Sequence, residues 1–193
     1  MGFSLRRALQ SFILLSDMKK ISAFLSILLL PIAAAFSQLA PLPPDGFVTL
    51  QQIVDDFAKS QDQALQKYNG MRICVYGRVG LVNQDADASR GPLTVYLQLA
   101  SRNTPDVKAV FDGDYLGKSI VNVDNDGSKA TVYHCNWEGE LSRERSFIVV
   151  GENTAVRGTF DNFVAGDIIL KNSFKLSPGA MMNKLKEHGL FTE

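Results

Sequence analysis

Six side chains could hold a ligand by stacking and charge: Tyr96, Tyr133 and Trp137, with Arg78, Arg90 and Arg157. Aromatic faces stack bases or sugars, and each base stack is worth about 1–3 kcal/mol in single-strand binders. Guanidinium groups add charge and cation–π attraction. The same aromatics can instead fill a core. Acid–base and nucleophilic chemistry has less to work with. The chain has two histidines and two cysteines. His134 and Cys135 are adjacent, and neighbours on a strand point to opposite faces. They therefore do not form the facing pair that a Cys–His nucleophile needs. His188 lies in the terminal segment. No Cys-x-x-Cys or His-x-x-x-His spacing occurs, so no zinc set is expected. Asn122–Gly127 has calcium-loop character, but the last position of such a loop would be Tyr133, not the bidentate Glu it requires. A polar hairpin turn is expected there, and a solvated loop around Asp85 and Asp87. No catalytic residue, cofactor or metal is expected.

These residues need elements to position them. Asn69–Gly70 tolerates positive φ and makes a turn. After it Met71, Ile73, Val75, Val79 and Leu81 share one parity, and Arg72, Cys74, Tyr76 and Arg78 the other, the period-2 pattern of a long strand with one buried face. Gly77 and Gly80 interrupt it where a bent strand needs relief. Before it, Thr49 opens a helix with Gln52 placed for a capping box. Leu50, Ile53, Val54, Phe57, Ala64, Leu65 and Tyr68 fit its apolar face, and Asp55, Asp56, Lys59, Asp62 and Lys67 its wet face.

Leu93, Val95, Leu97 and Leu99 alternate with Thr94, Tyr96 and Gln98 as a second strand, which puts Tyr96 on the outward parity. Val107–Phe111 is a third. Ser119–Val123 and Ala130–Trp137 flank Asp126–Gly127 as a hairpin. The charged stretch Glu138–Arg145 suggests a short helix. Ala155–Phe160 and Ile168–Leu176 form a closing pair of strands, and Ala180–His188 a short helix. The fold class is mainly β: a five-stranded OB-type barrel with an N-terminal helix and an inserted hairpin.

The N-terminus carries an address. Met18–Lys19–Lys20 is basic, Ile21–Ala35 is almost wholly apolar, and Ala35–Phe36–Ser37 has small residues where a signal peptidase reads. Residues 1–37 are expected to be a signal peptide, with Met18 a possible true start. The apolar run is shorter than the roughly 20 residues a membrane span needs, so no stable membrane insertion is expected after cleavage. The product is expected in the periplasm or secreted. Residues 38–48 read as a Pro-rich linker or arm, 49–177 as the barrel domain with its helix, and 178–193 as a short helix and tail.

The chain has 193 residues, 46% hydrophobic and 21% charged, which suits one globular domain. Taking Arg6, Arg7, Lys19, Lys20 and Asp17 from 20 bases and 20 acids leaves an excess of about three acids. That balance lacks the strong positive charge of a duplex-DNA binder. In an oxidising compartment Cys74 and Cys135 either pair or remain separate thiols; their spacing does not decide.

The run Val54–Phe57 through Ala64 and Tyr68–Asn69–Gly70, followed by Ile73–Val79, resembles the bacterial tRNA_anti-like family. Its members combine a helix ending in Tyr-x-Gly with a strand of the form x-x-Val-x-Gly-x-Val. Thr154–Phe160 is similar to that family's fourth strand and Ile168–Ser173 to its last. The resemblance covers roughly residues 50–176 and departs between about 111 and 147, where this chain is longer. It implies an OB barrel and an exported binding module for a small molecule, an oligomer or a protein partner. The family name does not make members tRNA binders, and export argues against that role here; the other reading is a single-stranded nucleic-acid binder.

Overall fold

One strand, Arg72–Gln84 (β2), serves two partners, and the architecture follows from that. The computed structural model describes residues 38–84, 92–99, 107–111, 119–136, 138 and 140–191. The signal-peptide expectation for 1–37 therefore lies outside the described residues, as do Arg90 and Trp137 and the loop of Asp85 and Asp87. Every element falls within one compact unit, Leu39–Glu193.

The elements in chain order are β1 (Phe47–Thr49), α1 (Leu50–Lys59), α2 (Gln61–Tyr68), β2, β3 (Leu93–Leu97), β4 (Val107–Phe111), β5 (Ile120–Val123), β6 (Lys129–Cys135), β7 (Leu141–Val149), β8 (Asn153–Val164), β9 (Asp167–Lys175) and α3 (Pro178–Glu187). The large sheet runs β1-β2-β3-β4-β9-β8, and β8 pairs back onto β2. Five strands thus close into a barrel, with β4 and β9 parallel and the other barrel pairs antiparallel. This is an OB barrel, as expected. The arm ahead of α1 ends in β1, which lies parallel to β2.

β2 pairs β8 from Arg72 to Arg78 and β3 from Val79 to Gln84. The register shifts between Val79 and Leu81. That bulge, at Gly80, flips the parity beyond it. Val82 is consequently the buried residue and Leu81 is 40% exposed, which corrects the expectation for Leu81. Met71, just ahead of the strand, is also exposed. Gly77 serves a different purpose: a Cβ there would lie 2.8 Å from the Cβ of Leu50, so glycine lets α1 seat on the strand.

The expected single helix is two. Ser60, with φ −162° and ψ 106°, ends α1 by donating its N–H to Asp56 O and caps α2 through Oγ, which accepts from Gln63 N at 3.4 Å. The Thr49 cap holds, with Oγ1 accepting from Gln52 N at 3.1 Å. Ile53, Val54 and Phe57 bury as spaced, and Phe57 stacks with Tyr68, Phe160 and Phe163. Asp56 and Lys67, expected on the wet face, are instead buried as a pair: Lys67 Nζ and Tyr68 OH both reach Asp56 Oδ2 at 2.6 Å. The break at Ser60 folds α2 back beside α1 and brings the two charges together.

The insertion is larger than a hairpin. β5-β6-β7 form a second, three-stranded antiparallel sheet. The segment expected as a helix at 138–145 contributes to β7, because pairing with β6 overrides the local charge pattern. Val121, Ala130, Val132 and Ile148 join the same core as the barrel interior. Phe147 meets Phe111 edge-on at 6.0 Å, and Lys175 Nζ donates to Phe147 O.

α3 starts at a Ser177 cap with Pro178 in its first turn and lies on the outer side of β2 and β8. Its Leu185 packs with Phe47, Cys74, Ala155 and Leu176. It ends in a Schellman turn: Gly189 N–H bonds Lys186 O, Leu190 N–H bonds Leu185 O, and Gly189 has φ 66°.

Candidate ligand-binding cleft

Where β2 changes partner, β3 and β8 part from it in different directions, and a cleft of about 900 Å³ opens between them. Its floor is Tyr76–Gly80 of β2. Gln98 and Leu99, just past β3, form one wall. Val150, Gly151 and Asn153, leading into β8, form another. Thr49, Leu50 and Gln51, at the start of α1, and Leu190 from the tail complete it. Backbone bonds pin the walls to the floor: Gln98 N–H to Arg78 O at 3.0 Å, Val79 N–H to Glu152 O at 2.9 Å, and Gly151 N–H to Val79 O at 2.8 Å. Arg78 is exposed at the rim, and its Nε donates to Gly151 O at 3.1 Å. The lining combines amides, a hydroxyl, a phenol, one cation and aliphatic surface. That composition suits a ligand with polar groups on an apolar body.

Of the four expected ligand residues that are described, Arg78 alone lines this cleft. Tyr96 is half-buried on the outer face of β3, directly opposite Lys108 of β4, whose Nζ lies 5.6 Å from the ring centroid. Tyr133 is half-buried in the second sheet, between Ile120 and Glu144. Arg157 sits on the outer side of β8, paired in register with Cys74. Tyr96 and Tyr133 therefore lie on separate sheets. Sequence reasoning missed Tyr76, Gln51, Gln98 and Asn153. Their one signal was the interruption at Gly80, where the register of β2 shifts beside the cleft.

Both cysteines are free thiols. Burial pushes the Cys74 thiol up to about 11, opposed by the nearby Arg157 guanidinium. His134 Nδ1 lies 2.7 Å from Ser119 Oγ. Near the chain end, Asp45, Glu187 and His188 each bring one ligand atom within 4.8 Å of the others. Lys184 Nζ already bonds Asp45 at 2.9 Å and Glu187 at 2.6 Å, so a protein ammonium supplies the cation there. His188 Nε2 lies 3.0 Å from Asp45, and the His188 ring stacks on Phe47 at 4.6 Å. Partial burial pushes the Asp45 carboxyl up. The bonds from His188, Lys184 and the Phe47 amide outweigh this and hold it well below the usual carboxylate range.

No protein-family model matches the chain, and no curated protein matches it. Solved structures with a similar chain path include a putative nucleic acid-binding lipoprotein from Klebsiella pneumoniae subsp. pneumoniae, 12% identical, with a TM-score of 0.44 over 68% of this chain and 91% of that one. No helix among the described residues is long and apolar enough to cross a membrane.

Proposed function

We propose that this protein is an exported, non-enzymatic binding module of the tRNA_anti-like kind, which holds a small molecule or the end of an oligomer in the cleft where β2 changes partner. The cleft itself carries the reading. It is about 900 Å³ and lined by Gln51, Tyr76, Arg78, Gln98 and Asn153 around aliphatic surface, with no His, Cys, Asp or Glu among the described lining residues. Such a set suits binding and orienting a ligand. The steric demand for glycine at Gly77 and at Gly158, where a Cβ would lie 2.5 Å from Ser173 Oγ, supports the family resemblance at those motif positions. Export rests on the sequence of residues 1–37.

A thermal-shift screen of the purified protein against sugars, nucleotides, amino acids and short oligomers tests this. Binders are expected to raise Tm in the wild type and to lose most of that effect in Asn153→Ala and Arg78→Ala. Binders unaffected by both substitutions would refute the cleft as the site.

A second reading has an observation of its own. Leu81 is exposed, and Tyr96 with Lys108 presents a ring and a cation on the outer face of β2–β4. Such a face suits a single nucleic-acid strand lying across the sheet. Oligonucleotide binding that weakens with salt and falls about tenfold or more in Tyr96→Ala, with Arg78→Ala unaffected, would favour this face over the cleft.

A further inference from the structure

We propose that α3, with the turn carrying Leu190, is a detachable strap that opens while the barrel stays folded, uncovering the outer face of β2 and β8 and one wall of the cleft. This inference goes beyond the binding reading and does not depend on it.

Four observations converge. First, α3 buries only Leu185 of its ten residues, with Met181 packed part-buried beside it, so its apolar anchor is small. Second, much of its polar tie runs through one carboxylate. Asp45 accepts from Lys184 at 2.9 Å, from His188 at 3.0 Å and from the Phe47 amide at 3.2 Å. Asp45 lies on the arm ahead of β1, not in the barrel. A single local change there loosens both the helix and its terminal turn. Third, what the strap covers differs from what the barrel core needs. Phe47, Cys74, Ala155, Leu176 and Leu185 form a cluster separate from the main core. Losing the helix therefore leaves the barrel interior sealed. Elements with few buried apolar contacts open at lower cost than the global fold. Fourth, the Schellman turn sends the chain back so that Leu190 lines the cleft beside Tyr76, while Tyr76 also packs against the strap's own cluster. Docking and cleft shape are thereby linked through Tyr76 and Leu190.

Cys74 is a built-in reporter. It is fully buried in the strapped state, and a thiol is attacked as its thiolate, which burial here disfavours. Labelling near pH 8 therefore reads the open state.

The test uses the full chain carrying Cys135→Ser, which leaves Cys74 as the sole thiol. Its labelling by an aromatic disulfide is followed against urea concentration. The expected result is a rate that rises only shallowly at low urea, before the global transition. Asp45→Ala is expected to raise the rate in water at least tenfold while moving the urea midpoint little. The amides of Gly189 and Leu190 should exchange in step with labelling. If labelling tracks global unfolding with the full urea dependence, the strap does not open separately and the proposal falls. It falls equally if Asp45→Ala folds and leaves the rate unchanged. If Asp45→Ala does not fold, the urea dependence in the parent chain still decides.

Discussion

At the scale of single residues, the largest energetic commitment is the buried Asp56–Lys67 pair. Side-chain exposures of 7% and 8% leave these charges little solvation beyond one another and Tyr68. Removing one partner strands the other. Asp56→Ala is expected to cost about 3–5 kcal/mol, read as a fall in the urea midpoint. A second residue-scale prediction concerns alkaline pH. The Cys74 thiol is raised from 9.0 to about 11, so the folded state keeps a proton that the unfolded chain releases. The stabilisation is complete below pH 9 and is lost as pH climbs towards 11, by at most about 1.4 kcal/mol per pH unit. Burial and then the Asp56 carboxylate push the Tyr68 phenol well above its ordinary value of 10.0, and its loss begins only beyond that pH. Between pH 9 and 10, Cys74→Ala should therefore flatten the decline in midpoint, whereas Tyr68→Phe should not.

At the scale of elements, the β8–β9 turn carries a correctable strain. Its two residues, Ala165 and Gly166, have φ of 54° and 95°. Positive φ at both positions matches a two-residue hairpin turn, but it costs an alanine about 1–2 kcal/mol. Ala165→Asn, a residue at ease in that region, is expected to raise stability by about 1 kcal/mol in urea melts. The elements also mark what was legible in advance. The β8–β9 hairpin, the alternating β3 and the Asp126–Gly127 turn declared themselves because one buried face per strand leaves a period-2 trace. β7 did not. Its first six residues, Leu141–Ser146, are exposed on both faces, so no apolar alternation exists to be read. Leu81 misled for another reason: a bulge changes parity without changing composition. Asp56 and Lys67 looked solvated because only the fold-back at Ser60 makes them partners. The cleft was the least legible feature. Gln51, Gln98, Asn153 and Leu190 come from four separate regions of the chain, and apart from the Gly80 interruption no local pattern anticipates their meeting.

At the scale of the whole molecule, the three-stranded insertion is not an appendage. Val132 and Ile148 are buried in the same cluster as Val75 and Leu170 of the barrel. The two sheets are therefore expected to melt in one cooperative step. Trp137, the single tryptophan, follows β6 in sequence and serves as a fluorescence probe of the insertion. Its transition should coincide with the far-ultraviolet signal of the whole chain. Ile148→Ala should shift both transitions together, by about 2–5 kcal/mol. Separated transitions would mean that the insertion folds independently.

The partner exchange along β2 also dictates timing. The Arg78 side chain bonds a carbonyl 73 positions downstream, and the adjoining pairing joins the first half of β2 to β8. A nascent chain can lay β3 against β2 early, but the ring stays gapped until β8 and β9 have been supplied. Loops of that length make closure slow. Refolding should therefore be governed by a late, concerted zipping of β8 onto a waiting edge, with substitutions at that seam slowing it more than substitutions in α1.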